Sequence, residues 1–236
     1  PFADVFLPGG LRVHAVIKSA CSSSTLISIR LHSLKPLRLD DLVARNFITE
    51  QLANWLRSLI ASRESFVISG ATGSGKTTLL RAMLAESKER TICIEDVTEI
   101  TGPNIISLQT RSPNIEGIGE ITMDRLVRES LRMRPDRLVV GEVRGSELVT
   151  MLQALNTGHC GASTIHANSL QKVPQRLYAI GVLGGLGESA VARLSAAAID
   201  WIISLSTGER KLSGIGKLEL RAGELRVEPL PLGQCI

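Results

Sequence analysis

Gly70-Ala71-Thr72-Gly73-Ser74-Gly75-Lys76-Thr77-Thr78 fits the phosphate-binding pattern G-x-x-x-x-G-K-[ST], and its reading decides the fold. The apolar run Phe66-Val67-Ile68 before it reads as a strand, and the amphipathic run from Thr77 to Lys88 after it reads as a helix. In that setting Gly70, Gly73 and Gly75 let successive backbone N–H groups turn inward around a polyphosphate, at the positive end of the helix. Lys76 would reach the outer phosphates. The Thr77 hydroxyl would sit on Mg²⁺, which needs near-octahedral oxygen ligands. A plain glycine-rich turn accounts for the glycines but not for the strand and helix around them, so nucleotide binding is the expectation.

The whole chain is compatible with that expectation. Its 236 residues suit one α/β domain of ordinary size with a smaller partner, and 44% hydrophobic content suffices for a buried core. Only 3% of residues are aromatic, which argues against stacking platforms for single-stranded nucleic acid. A formal charge of +4 and a pI near 9.1 suit phosphate, acidic protein and anionic lipid equally, so charge selects no partner. Cys21, Cys93, Cys160 and Cys235 are scattered without a C-x-x-C pair; they signal neither zinc nor a disulfide framework, and reduced thiols in a cytoplasmic protein are expected. No run approaches the 18 or so apolar residues of a membrane helix, and no signal peptide is present. Opening at Pro1 without a methionine, the chain reads as truncated.

Up to about Leu31 the pattern is short and strand-like. Leu11 to Val16 and Leu26 to Leu31 alternate apolar with other residues on either side of the Ser22-Ser23-Ser24 turn. Residues 1–34 are therefore expected to be the end of a small N-terminal sheet domain, 35–45 a linker able to hinge, and 46–236 the nucleotide-binding domain. Thr49 is a candidate cap for a helix that buries Leu52, Trp55, Leu56, Leu59 and Ile60. Further on, strands are expected at Thr91 to Ile94, around Ile106 to Leu108, at Arg137 to Val140, ending at Ile165, and at Trp201 to Leu205. Between them lie helices from Thr122 to Met133 and Ser146 to Leu155, one capped by Ser169, and one from Ser189 to Ala198. The tail from Gly216 to Pro229 reads as a hairpin about Arg221 to Glu224. Alternating strands and helices imply a mostly parallel sheet covered on both faces.

Splitting the terminal phosphate of ATP needs a metal holder, a residue to position or deprotonate water, and positive charge at the transition state. Glu142 stands at the carboxyl end of an apolar strand, where open parallel sheets bind ligands, and is the natural outer-sphere Mg²⁺ partner. Glu95, Asp96 and Glu99 form a second acidic cluster, which could be catalytic or merely solvated. Arg125, Arg128 and Arg132 share one helix face, where Asp124 can pair with Arg128; a solvated face is the preferred reading. His159 and His166 flank a strand, and each is more often a hydrogen-bonded structural residue than a catalyst.

Four separated blocks read together narrow this further. GATGSGKTT from Gly70, CIEDVTEI from Cys93, RMRPDRLVVGEVRGSE from Arg132 and NTGHCGASTIHANS from Asn156 closely resemble the Walker A, Asp-box, Walker B and His-box of the secretion ATPases. That superfamily powers type II and type IV secretion and type IV pili with RecA-like domains assembled into hexameric rings. GGLRVHAV from Gly9, SIR from Ser28 and SLQTRSPNIEGIGEIT from Ser107 look like its Tad/Flp pilus-assembly branch, close to the type IV secretion ATPases.

The resemblance implies an α/β, RecA-like P-loop domain preceded by the remnant of a small sheet domain. It implies Glu99 as general base, Glu95 and Asp96 supporting it and the metal, Glu142 in the Walker B role, and His166 near the phosphates with His159 close by. Gly70, Ala71, Thr72, Gly73, Ser74, Gly75, Lys76, Thr77 and Thr78 would hold ATP, with Thr77 and Glu142 on Mg²⁺. Arg111, Arg144 and the helix arginines become candidates for phosphate contacts within or between subunits. Nothing here can build the four-cysteine insertion typical of the extension motors, which favours the Tad or type IV secretion side. The His-box is one residue shorter between His159 and His166 than the branch pattern.

The implied protein is a cytoplasmic Mg²⁺-ATP hydrolase, a homo-oligomeric, six-membered ring in its relatives' manner, working beneath the inner membrane with platform proteins and no specific nucleic acid. Two rivals differ in class. A RecA-like nucleic-acid translocase would show salt-dependent DNA binding. A nucleotide-gated assembly subunit would bind ATP with little turnover.

Overall fold

The computed structural model describes residues 2–7, 10–20, 24–31, 37–114, 116–206 and 211–231. The chain forms two compact units, 1–36 and 37–236. In the first, β1 (Phe2–Leu7), β2 (Leu11–Val16) and β3 (Leu26–Leu31) make an antiparallel sheet in that order. The register gathers Ala3, Val5 and Leu7, Leu11, Val13 and Ala15, and Ile27, Ile29 and Leu31 on one face. The other face carries Asp4, bonded to Arg12 (3.0 Å), with His14, Ser28 and Arg30. The expected turn at Ser22-Ser23 and the first part of the linker lie outside the described residues, as do Cys21 and Cys235.

The second unit begins with α1 (Leu39–Ala44) and α2 (Glu50–Ala61). Then follow β4 (Phe66–Ser69), α3 (Lys76–Leu84), β5 (Thr91–Glu95), β6 (Ile105–Gln109) and α4 (Met123–Ser130). Next come β7 (Arg137–Val140), α5 (Glu147–Leu155), β8 (Cys160–Ile165), α6 (Val173–Leu183) and α7 (Glu188–Ala198). The chain closes with β9 (Trp201–Leu205), β10 (Leu212–Arg221) and β11 (Glu224–Leu230). One eight-stranded sheet results, ordered β11-β10-β9-β4-β8-β7-β5-β6. Pairing is parallel from β9 to β6 and antiparallel where β9, β10 and β11 meet.

The central strands are apolar at nearly every position because helices cover both faces. Phe66, Ile68, Val139 and Ile203 pack with Leu56, Leu79, Leu80 and Met83. Their neighbours in sequence, Val67, Leu138, Val140 and Ile202, point the other way, into Leu148, Leu152, Val173 and Leu177. Arg137 starts β7 as a buried cation, held by Glu89 (2.9 Å) and the carbonyls of Glu64 (3.1 Å) and Ile60 (3.3 Å). Cys93 and Cys160 are free, buried thiols. Among the described residues no helix is long and apolar enough to cross a membrane.

Several local expectations are corrected. α1 stands inside the expected linker: Asp41 accepts the Arg38 N–H at 2.8 Å, and Leu39 and Leu42 are buried. Six residues are too few to display a helical period. Ser169 makes no side-chain cap; a 3₁₀ turn at Leu170–Lys172 precedes α6, whose first turn contains Pro174. The helix expected through Met133 is α4 plus a 3₁₀ turn at Leu131–Met133, stopped by Arg134 at φ 53°. α3 ends at Leu84, short of Lys88. Thr49 accepts the Leu52 N–H at 3.2 Å, and Ala222 and Gly223, both at positive φ, turn the final hairpin.

Candidate active site

The loop after β4 occupies the carboxyl edge of the sheet, between β8 and β9. Gly75 adopts φ 99° as the residue before α3, and a Cβ there would lie 3.1 Å from the Phe47 ring. The positive φ favours glycine at this position, and a Cβ would also require the Phe47 ring to give by a few tenths of an ångström. α3 aims its first N–H groups back into the loop, the arrangement that binds anions. Lys76 Nζ donates to the carbonyls of Gly70 and Ala71, each at 2.9 Å, and lies 3.4 Å from His166 Nδ1.

β7 and β8 run parallel with Val140 opposite Ser163, so their tips bring Glu142 and His166 together. His166 Nε2 lies 2.5 Å from Glu142 Oε1, and Arg144 is ion-paired to Glu142. In the neutral tautomer that carries its proton on Nε2, Nδ1 accepts from the Lys76 ammonium while the Nε2 edge faces the Glu142 carboxylate. Consistent with that form, burial and the nearby Lys76, Arg144 and Arg176 hold the His166 pKa below its ordinary value, against the pull of Glu142. Burial also lowers the Lys76 pKa, opposed by Glu142. The hydrogen bond to Glu142 raises that of Arg144. Lys76 and Arg144 thus gather about one carboxylate, with Arg176 near the imidazole, a set of charges suited to a polyanion.

The tip of β5 is built differently. Glu95, 6% exposed, turns inward and accepts the N–H groups of Glu99 (3.1 Å) and Ile100 (3.0 Å). Burial pushes its pKa up to about 7 in spite of those bonds. Asp96 is exposed, accepts the Thr110 hydroxyl at 3.1 Å, and its charge is felt at Arg144. Glu99 is half-buried in the same loop.

The remaining candidates make local contacts in the single chain. Arg111 Nε donates to the Gly119 carbonyl at 2.6 Å and closes the loop bridged by Arg111 and Ile121. Arg128 pairs with Asp124 at 3.1 Å and Arg132 with Glu129 at 3.4 Å, while the Arg125 N–H is capped by Thr122. His159 Nδ1 lies 3.2 Å from the Thr157 hydroxyl and 3.3 Å from the Ala154 carbonyl, at the end of α5.

Two features have no motif in the sequence. A cavity of about 640 Å³ runs from Thr77 and Thr78 to Arg45, Asn46 and Phe47, between the loop and α1. Its apolar wall beside the phosphate loop suits a purine and ribose. Arg176, in the first turn of α6, has a buried Nε without a partner, within electrostatic reach of His166. Its distance from the motif in sequence concealed it.

The donor set fits ATP with Mg²⁺. The loop, Lys76 and the helix terminus are donors for phosphate, and the Thr77 hydroxyl and Glu142 are hard oxygen ligands. Among the described residues no three His, Cys, Asp or Glu side chains converge on one point, so phosphate oxygens would have to complete a cation's shell.

Comparison with known proteins agrees with this geometry. Residues 5–206 match the family described as Type II/IV secretion system protein. A putative conjugal transfer protein of Mycobacterium tuberculosis is 42% identical over 242 residues, spanning 96% of this chain and 68% of that protein. The conjugal transfer protein TrbB of Rhizobium radiobacter is 36% identical over 205 residues, spanning 84% and 60%. Among solved structures, the VirB11 ATPase of the Brucella suis type IV secretion system, in complex with sulphate, superimposes with a TM-score of 0.61 at 25% identity, covering 92% of this chain and 76% of that one.

Proposed function

The chain belongs to the type II/IV secretion system family of P-loop ATPases, and on that premise we propose that it hydrolyses Mg²⁺-ATP to drive a secretion machine. The observation that carries the proposal is the convergence of Lys76, His166, Glu142 and Arg144 beside the phosphate loop.

The loop N–H groups and Lys76 hold the β- and γ-phosphates, giving up the Lys76 contacts to Gly70 and Ala71 for phosphate oxygens. Thr77 and Glu142 are the residues that would hold Mg²⁺, which neutralises phosphate charge when bound. Glu99 orients the attacking water and takes its proton. His166 links Lys76 to Glu142, so a change in phosphate occupancy moves all three. Arg144 and Arg176 supply positive charge as the transferred phosphoryl group spreads its own. Phe47 and its neighbours receive the base.

The finer reading is a homohexameric ring on the cytoplasmic face of the inner membrane, docked on platform proteins. Family membership supports it. Between the two branches that the sequence resembles, the conjugal-transfer names of the relatives at 42% and 36% identity favour type IV export over Tad/Flp pilus assembly.

The test measures phosphate release and particle mass together on the intact chain, with Glu99→Gln alongside. A ring with turnover in the wild type and none in the variant is expected. An inert monomer that still binds ATP would reduce the protein to a nucleotide-gated subunit.

A further inference from the structure

Three acids lie at the end of β5 and just beyond it, and their spacing alone does not divide their work. We propose that Glu95 is a positioning residue, the internal brace that fixes the backbone of Glu99, and that Gly141 is the cut-away that admits it. This rests on the reading of the chain as an ATPase with Glu99 as base.

Glu95 Oε2 alone accepts both loop N–H groups, from Glu99 and Ile100. The next anchor is Ile100 itself, fully buried, so the loop is fastened immediately on both sides of the Glu99 carbonyl. The other face of the carboxyl lies against β7. A Cβ at Gly141 would stand 2.7 Å from Glu95 Cγ and 3.3 Å from Oε1. Gly141 cannot retreat: its N–H donates to the Ile94 carbonyl at 2.8 Å, and its own carbonyl accepts the Thr164 hydroxyl at 2.7 Å. The Cys93 thiol, two residues back on the same strand, lies close enough to interact with the carboxyl.

A side chain so enclosed cannot also reach a cation or a water among the phosphates. What the loop requires of it is an acceptor oxygen of the right reach, not a charge. Glutamine keeps that oxygen and the shape, whereas alanine leaves one buried and one part-buried N–H group unpaired.

The experiment compares Glu95→Gln, Glu95→Ala and Glu99→Gln in Mg²⁺-ATP turnover, ATP affinity and amide exchange over residues 96–101. Glu95→Gln should keep turnover within about twofold of wild type with its loop amides protected. Glu95→Ala should lose about tenfold in kcat with ATP affinity nearly unchanged, and its Glu99 and Ile100 amides should exchange freely. If Glu95→Ala does not fold, Gly141→Ala, which displaces the same carboxyl from the other side, should show the same fall in kcat. Glu95→Gln as inert as Glu99→Gln, with ATP bound and amides protected, would make Glu95 catalytic and overturn the proposal. Unchanged exchange in Glu95→Ala or Gly141→Ala would also overturn it. Absence of turnover in the wild type would instead remove the ATPase reading and leave the exchange comparison to decide the brace.

Discussion

Glu95 and Glu142 leave the tips of adjacent parallel strands, β5 and β7, paired as Ile94 with Val140, yet they meet opposite fates. Glu142 follows Gly141 into a cluster of Arg144, His166 and Lys76, where its charge is matched by groups that can also turn to a phosphate. Glu95 is folded into its own loop and spends its oxygen on backbone N–H groups. A strand-end carboxylate becomes reactive machinery when side chains from other strands meet it, and architecture when its own chain folds back over it.

The comparison breaks most visibly at Lys76, the residue that joins the loop to the cluster. Lys76→Ala should lower turnover about a thousandfold, since it removes a charged donor at the phosphates, while leaving thermal unfolding near wild type. Calorimetric titration with ATP alongside the rate assay would check both halves. Next comes Glu142→Gln, which should cost about a hundredfold in turnover and shift the Mg²⁺ dependence to higher concentration. A Glu142→Gln enzyme with wild-type Mg²⁺ response would make the two tips alike.

Smaller effects fall on the β5 side. Gly141→Ala should destabilise by about 2 kcal/mol, read as a lowered Tm, because its Cβ must displace the Cγ of Glu95. The Glu95 carboxyl, with a pKa of about 7 against an ordinary 4.5, binds its proton more tightly folded than unfolded. Relative to Glu95→Gln, the wild type should therefore be most stable in acid and lose about 2 kcal/mol as pH rises from about 5 to about 8, levelling off above that. Chemical unfolding of the two proteins across that range, in a chelator, measures the difference. A flat difference would mean that Glu95 is solvated like any surface acid.

Much of the fold is legible in the sequence because buried parallel strands advertise themselves. Phe66 to Ile68 and Leu138 to Val140 are continuous apolar runs, and the glycine-lysine loop between strand and helix admits few alternatives. α1 is not legible, since its six residues owe their helix to burial of Leu39 and Leu42 and one Asp41 cap. The site divides the same way. Lys76, Glu142 and His166 stand in recognisable strings, but that they touch depends on the order of β4, β8 and β7 in the sheet. Phe47 and Arg176 carry no string at all; only the fold brings them to the loop and to His166. Spacing alone does not separate Glu95, Asp96 and Glu99; burial and the loop hydrogen bonds set Glu95 apart.

The most direct test is the rate of ATP hydrolysis by the intact chain with and without Mg²⁺, beside Lys76→Ala. The account predicts turnover that requires the metal and disappears with the lysine. Turnover that survives Lys76→Ala, or a wild-type chain that binds no nucleotide, would contradict it.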